Sequence, residues 1–154
     1  MFESVNEVGR WIDEALRAEA TGTEVAFAIM RRVDGIVVGS TRYLDIRRPH
    51  RSLEIGWTWL AREAQRTAVN TEAKLMLLTH AFESHGAVRV QLKTDERNEQ
   101  SRTAICRLGA AFEGILRNYQ TRAHDGYVRN TAMYSITRDE WPAVKVRLAS
   151  RLRA

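Results

Sequence analysis

The sequence predicts one domain, residues 1–154, of α+β (mixed α/β) class: a mostly antiparallel sheet flanked by helices. Segments of helical and strand periodicity follow in the order α, β-β-β, α, β, α, β-β, α. Asp34-Gly35 and Asp125-Gly126 each stand between two β-rich runs, and such dipeptides supply the positive φ angles of a tight hairpin. A helical segment separates the third strand run from the fourth, so those two can lie parallel through a right-handed crossover, which a hairpin does not allow. With 44% hydrophobic residues, a chain of 154 residues has the apolar material for one real core.

Taken in order, Ser4 and Glu7 form a capping-box signature, and Val5, Val8, Ile12, Ala15 and Leu16 recur at helical spacing. The helix spans residues 4–20 and ends at Thr21-Gly22. EVAFAIMRR and IVVGSTRYLDI form an antiparallel pair about Asp34-Gly35. After RRPHR, the alternation from Ser52 to Leu60 puts Leu53, Ile55, Trp57 and Trp59 on one face and Glu54, Gly56 and Thr58 on the other. From Thr71 the set Leu75, Leu78, Ala81 and Phe82, widened by Ala73, Met76 and Leu77, predicts a buried helix that stops at Gly86. AVRVQLKT reads as a strand, and residues 98–108 as a helix with Ser101, Ala104, Ile105 and Leu108 on one stripe and Gly109 past its end. FEGILRNYQTR and YVRNTAMYSIT pair about Asp125-Gly126. The closing helix takes Asp139 as its cap, with Pro142 in the first turn, where a missing N–H costs little.

Composition excludes several classes. No apolar run approaches the ~20 residues that cross a bilayer. MFESVNEVGRW lacks the basic start and apolar block of a signal peptide, so a soluble cytoplasmic protein without membrane contact is expected. A single cysteine, Cys106, rules out an internal disulfide; with no histidine near it in sequence, it reads as inert filling. His50, His80, His85 and His124 show no ligand spacing, and no metal is expected. The net charge of +5 invites a polyanion, but the arginines are scattered without the glycine and aromatic interleaving of an RNA-recognition sheet. A solvated basic face is expected, and nucleic acid is not the expected partner.

Chemistry concentrates in residues 53–85, where LEIGWTWL leads through the polar turn AREAQRTAVN into TEAKLMLLTHAFESH. A strand that ends in a loop rich in backbone N–H groups and opens a helix suits a phosphate, because a helix N-terminus presents unpaired donors and a partial positive charge. IVVGSTRYLDI, LEIGWTWL, AQRTAVNTEAK, KTDERNEQSRTAICRLGAAFEGILR and EWPAVK, in that order over nearly the whole chain, resemble the GNAT N-acetyltransferases and their Rim-type branch, which acetylates ribosomal-protein N-termini.

That resemblance implies a GNAT-type acyl-CoA N-acyltransferase fold whose sheet splays between the fourth and fifth family strands, here LEIGWTWL and AVRVQLKT. It implies acetyl-CoA as co-substrate and no metal. Gln65-Arg66-Thr67-Ala68-Val69-Asn70 resembles the family's phosphate-binding signature, with Ala68 and Asn70 where small residues, glycine first, are usual. Ala68 disfavours positive φ and adds a methyl group where backbone approaches phosphate, whereas Asn70 tolerates the left-handed conformation. By resemblance the diphosphate sits on the amides of residues 66–71, Thr71 included. The pantetheine arm then lies between the two strands, pairing with backbone freed around Trp59 and Leu60. Asn98 and Ser101 match an Asn-x-x-Ser pattern that reaches the pantetheine arm or the thiol; helix capping is the alternative.

Acetyl transfer to an amine needs a neutral amine, a donor for the oxyanion and a proton for the leaving thiolate. Glu54 is the candidate base, since the family often uses a carboxylate on this strand and partial burial would raise its pKa; a surface pair with Arg42 or Arg89 is the alternative. Ser101 and Tyr134 are candidates to assist the thiolate, against a core reading for Tyr134. A backbone N–H near Trp57 or Thr58 is the simplest oxyanion donor. Trp11, Trp57, Trp59 and Trp141 could line an acceptor pocket, with most expected in the core and Trp57 and Trp59 packed against a helix on the apolar face.

Family members usually begin with a strand and a helix ahead of the helix that starts here at Ser4. Without them EVAFAIMRR is an edge strand with unpaired backbone groups, from which a homodimer is expected. The part not seen usually borders the acceptor site, so substrate choice and competence depend on it. Three functions are ranked: an N-acetyltransferase that moves acetyl from acetyl-CoA to a primary amine of a protein N-terminus or small molecule by direct attack in a ternary complex; a CoA-binding regulatory or catalytically impaired homologue; and a basic ribosome- or RNA-binding module.

Overall fold

The structure is a computed structural model that describes residues 4–122 and 125–153; His124 lies outside the described residues. Its elements are α1 (Val5–Ala20), β1 (Val25–Arg31), β2 (Ile36–Arg47), β3 (Ser52–Leu60), α2 (Ala68–Thr79), β4 (Arg89–Asp95), α3 (Glu99–Leu108), β5 (Ala111–Thr121), β6 (Val128–Thr137) and α4 (Trp141–Arg153). The order is the one read from the sequence. The strands form a six-stranded sheet, β1-β2-β3-β4-β6-β5, antiparallel at every junction except β3–β4. No helix among the described residues is long and apolar enough to cross a membrane.

Local signals set the helix starts. The Ser4 hydroxyl accepts the Glu7 N–H at 3.2 Å. The Asn98 side chain accepts the Ser101 N–H at 3.0 Å, and α3 ends at Gly109, whose φ of 104° suits glycine and few other residues. Helix α2 begins at Ala68, three residues before the predicted Thr71, because Thr67 takes the cap: its hydroxyl accepts from the Val69 N–H and donates to the Ala64 carbonyl at 2.7 Å. It runs on into a π-helical turn, His80–Ser84, and stops before Gly86. The predicted cap of α4, Asp139, is displaced by Glu140, whose carbonyl accepts the Val144 N–H and whose carboxylate accepts the Thr137 N–H at 2.7 Å.

The two sheet faces differ. Helices α2, α3 and α4 cover one of them, where Leu53, Ile55, Leu77, Leu78, Val90, Leu92, Ile105, Ile136 and Leu148 form a continuous core. Helix α1 lies on the other: Arg42 donates to the Trp11 carbonyl at 3.1 Å, while the next residue, Tyr43, donates to the Leu77 carbonyl of α2 at 2.6 Å. Consecutive strand residues point to opposite faces, so these two bonds identify them. The predicted stripe of α1 is buried only in part. Ile12 and Leu16 are 44% and 55% exposed, whereas Ala15 is buried. The Trp11 ring lies under the Arg42 guanidinium at 4.2 Å, and this contact, one residue before Ile12, rolls the helix away from its apolar stripe.

Leu78, fully buried, should be expensive to truncate: Leu78→Ala is expected to cost about 2–5 kcal/mol in denaturant unfolding. Ile12→Ala is expected to change stability by less than about 1 kcal/mol, and equal losses for the two would contradict the packing of α1.

Candidate active site

The parallel pair β3–β4 is held at Ser52–Arg89, Leu53–Val90 and Glu54–Gln91, although β3 continues to Leu60 and β4 to Asp95. The cause lies in β3. Trp57 has φ +49°, a left-handed conformation rare for a bulky side chain, and the register with β2 slips between Ser40 and Arg42. The bulge bends β3 and reverses its alternation. Thr58 now faces α2, and Leu60 packs with Ala64, Val69 and Ala73. Trp57 and Trp59 move to the face of Glu54, so their predicted place on the apolar face is corrected: they are 56% and 39% exposed. A wedge thus opens beyond Glu54 at the C-terminal ends of two parallel strands, the end at which α2 and α3 present their N-termini.

At the mouth of the wedge, residue 66 rather than 68 or 70 takes the left-handed conformation: Arg66 has φ +62°. Ala68, Val69, Asn70 and Thr71 are the first residues of α2, so the expected φ penalty at Ala68 does not arise. The amides of this first turn lack helical partners by geometry, and the Val69 N–H has the Thr67 hydroxyl at 3.3 Å. The Gln65 side chain closes the turn by donating to the Leu60 carbonyl at 2.9 Å, which commits one backbone group expected to be free. Arg66 itself is exposed.

Glu54 sits at the apex, 1% exposed, between the core residues Leu53 and Ile55 and pointing to the opposite face. Neither Arg42 nor Arg89 pairs with it. Its carboxylate accepts from Lys93 Nζ at 2.7 Å and Gln91 Nε2 at 3.4 Å. Arg89 is engaged by Glu113, whose carboxylate it holds below the usual range through the hydrogen bond. Gly56 leaves room beside Glu54; a Cβ there would stand 2.9 Å from Glu54 Oε1. Around this space Arg42 pairs with Glu24 at 3.0 Å and lies over Trp11 at 4.2 Å and Trp57 at 5.5 Å, while Trp59 meets Trp11 edge-on. Three of the four tryptophans therefore wall the Glu54 face. Trp141 is in the core, donating to Glu83 at 2.8 Å. Arg42 Nε is buried without a partner among the described residues.

Asn98 caps α3, and the Ser101 hydroxyl makes no hydrogen bond among the described residues. Tyr134 is buried on the helix-covered face; its hydroxyl accepts from Arg102 Nε at 3.0 Å, leaving its own proton to donate. It borders a pocket of about 520 Å³ that α3 lines with Arg102, Thr103 and Cys106. Glu54 and Tyr134 thus lie on opposite faces of the sheet, and only the wedge could bring them to one substrate. The exposed Cys106 is not filling. No cluster of three or more metal-ligating side chains occurs among the described residues.

Sequence reasoning missed Lys74. It is buried on α2, with Nζ 3.1 Å from Thr41 Oγ1 and 2.5 Å from Thr58 Oγ1, and burial pushes its pKa down to about 7. The signal was present: Lys74, Leu78 and Ala81 share a helical stripe, and a lysine inside an apolar stripe marks an unusual environment.

A family model described as an acetyltransferase (GNAT) domain matches residues 2–111. A Bacillus subtilis (strain 168) protein named as the ribosomal N-acetyltransferase YdaF is 32% identical over 114 residues, 73% of this chain and 60% of its own. This chain therefore spans about 60% of that relative's length. A crystal structure of an acetyltransferase from T. thermophilus is 41% identical, with TM-score 0.78 over 91% of this chain and 75% of that one. Mycobacterium smegmatis RimJ in complex with CoA-disulfide is 26% identical, with TM-score 0.82 over 97% of this chain and 70% of its own.

Because the folded pKa of Lys74 lies below its unfolded value, the unfolded chain holds more protons between about pH 7 and 10.5, and stability rises with pH across that window. Lys74→Met should therefore stabilise the protein more at pH 6 than at pH 10.5, the difference being on the order of 4 kcal/mol in denaturant titrations. A difference that did not vary with pH would contradict the burial of this amine.

Proposed function

This chain belongs to the GNAT acetyltransferase family, and from that membership we propose that it transfers an acetyl group from acetyl-CoA to a primary amine. The observation that carries the reading is the wedge: a helix N-terminus stands at its mouth and a buried carboxylate at its apex. The diphosphate rests on the amides of Arg66 to Thr71, with Gln65 closing the turn behind them. The pantetheine arm runs between the unpaired edges of β3 and β4, past Trp59 and Leu60, with Asn98 and Ser101 at the start of α3 on its other side. The amine enters from the face walled by Trp11, Trp57 and Trp59, aromatic surfaces that favour a cation before it loses its proton. Glu54 takes that proton as the nitrogen attacks the thioester directly in a ternary complex. Amides of the bulge at Trp57 and Thr58 receive the oxyanion. Ser101 or Tyr134 supplies the proton or hydrogen bond for the thiolate. A protein N-terminus is the favoured acceptor class, supported by the ribosomal N-acetyltransferase name of the B. subtilis relative and by an open, exposed aromatic wall.

One observation favours a second reading, CoA binding without turnover: the Glu54 carboxylate is already committed to Lys93. Under the acetyltransferase reading the arriving amine displaces or shares that bond. We also assign a homodimer, because β1 ends the sheet and Met30, Ile36 and Val37 are exposed along this hairpin. Sedimentation equilibrium is expected to give about twice the chain mass, and a monomer at all concentrations would refute the assignment.

Mass spectrometry of peptides and small amines incubated with labelled acetyl-CoA tests the main reading; binding without acetylation of any amine selects the second. Glu54→Gln is expected to lower kcat about 100-fold with the dissociation constant for acetyl-CoA within about twofold of wild type. Ala68→Asp, which places a carboxylate in the anion-binding turn, is expected to weaken acetyl-CoA binding at least about tenfold, and unchanged binding would place the diphosphate elsewhere.

A further inference from the structure

Lys74 has no role in the reading above, yet burying a lysine without a carboxylate is costly and is rarely tolerated without a use. Among the described residues its ammonium hydrogen-bonds the hydroxyls of Thr41 and Thr58, and two of its three possible hydrogen bonds are accounted for. Charged groups on the surrounding elements are turned elsewhere. On β2, Arg42 faces α1 and pairs with Glu24, and the Tyr43 hydroxyl is given to Leu77. On β3, Glu54 faces away and pairs with Lys93 of β4. On α2 and the turn before it, Glu72, Arg62, Glu63 and Arg66 are exposed. Burial is the one cause behind the depressed pKa; no neighbouring charge contributes.

The position of Lys74 supplies the use. It lies six residues into α2, about 9 Å along the axis from Ala68, and helical side chains lean toward the N-terminus. The ammonium is thus directed back toward the first turn, about which Leu60, Ala64, Val69 and Ala73 pack as an apolar layer that screens little. It also touches Thr58 in the bulge that opens the wedge. We propose that Lys74 is a buried amine that takes up a proton when a diphosphate occupies the N-terminus of α2 and, as a cation, answers it through this layer without direct contact.

This rests on the reading that a diphosphate occupies that turn. It makes binding a proton-linked event: the amine, largely neutral in the free protein above pH 7, is protonated when the anion arrives. With the free value near 7, a bound value about one unit or more higher makes affinity fall about tenfold between pH 6 and pH 9. Dephospho-CoA is the probe, since it keeps the diphosphate but lacks the 3′-phosphate monoester, which titrates near 6.

Calorimetry at pH 8 in two buffers of different ionisation enthalpy is expected to show uptake of about 0.3–0.9 proton per dephospho-CoA bound. Lys74→Gln and Lys74→Arg, one never charged and the other always charged, should both abolish the uptake and the pH dependence of affinity. Binding by the wild type with no uptake, or uptake that survives either substitution, would overturn the role of Lys74 even if neither variant proved easy to fold. Failure of both CoA and dephospho-CoA to bind would instead overturn the cofactor reading on which it rests.

Discussion

The left-handed conformation of Trp57 is the constraint on which the site depends. A bulky residue there costs on the order of 1–3 kcal/mol and persists only where neighbours over-determine it. Here Thr58 is held by Thr41 and Lys74, and the Trp57 ring lies by the Arg42 guanidinium. Gly39 of β2 lets the Trp59 carbonyl come close, in space where any side chain would collide with it. With the bulge in place β3 cannot follow β4, and the two strands separate after Glu54. A regular β3 would continue the ladder and close the wedge.

The separation explains why the two faces divide their work. On the helix-covered face, the dense core around Leu78, Val90 and Ile136 fixes α2 and α3, and so fixes where their N-termini point. On the other face, covered only in part by α1, charges occur in pairs: Glu54 with Lys93, Arg89 with Glu113, Arg42 with Glu24. Removing a partner from the Glu54 pair would strand a buried carboxylate, which is why Lys93 belongs to the description of the site as much as Glu54 does. The wedge opens between the two faces, with Lys74 and Glu54 on opposite sides of the sheet.

Much of this was legible in the chain. Ser4, Asn98, Gly109 and the two Asp-Gly turns act through bonds within a few residues, so their spacing alone placed the elements in their order. The family resemblance brought residues 65–71 and Glu54 to attention, and they lie at the mouth and apex of one opening. Local rules failed where a distant partner intervened. Ile12 and Leu16 obey helical periodicity but lost the buried face to Trp11, which Arg42 of β2 captures. Trp57 and Trp59 obey strand alternation up to the point where the bulge reverses it.

The sequence by itself determined the element types, their order, the parallel crossover and the turn that leads into α2, because periodicity, caps and hairpin dipeptides are encoded by near neighbours. Only the tertiary structure decided which faces the tryptophans take, that Glu54 is held by Lys93, that Arg66 bears the positive φ, and that Lys74 lies buried. Each of these is set by residues far apart in the chain that the sheet brings within hydrogen-bonding or packing distance, and no local spacing rule records such an encounter.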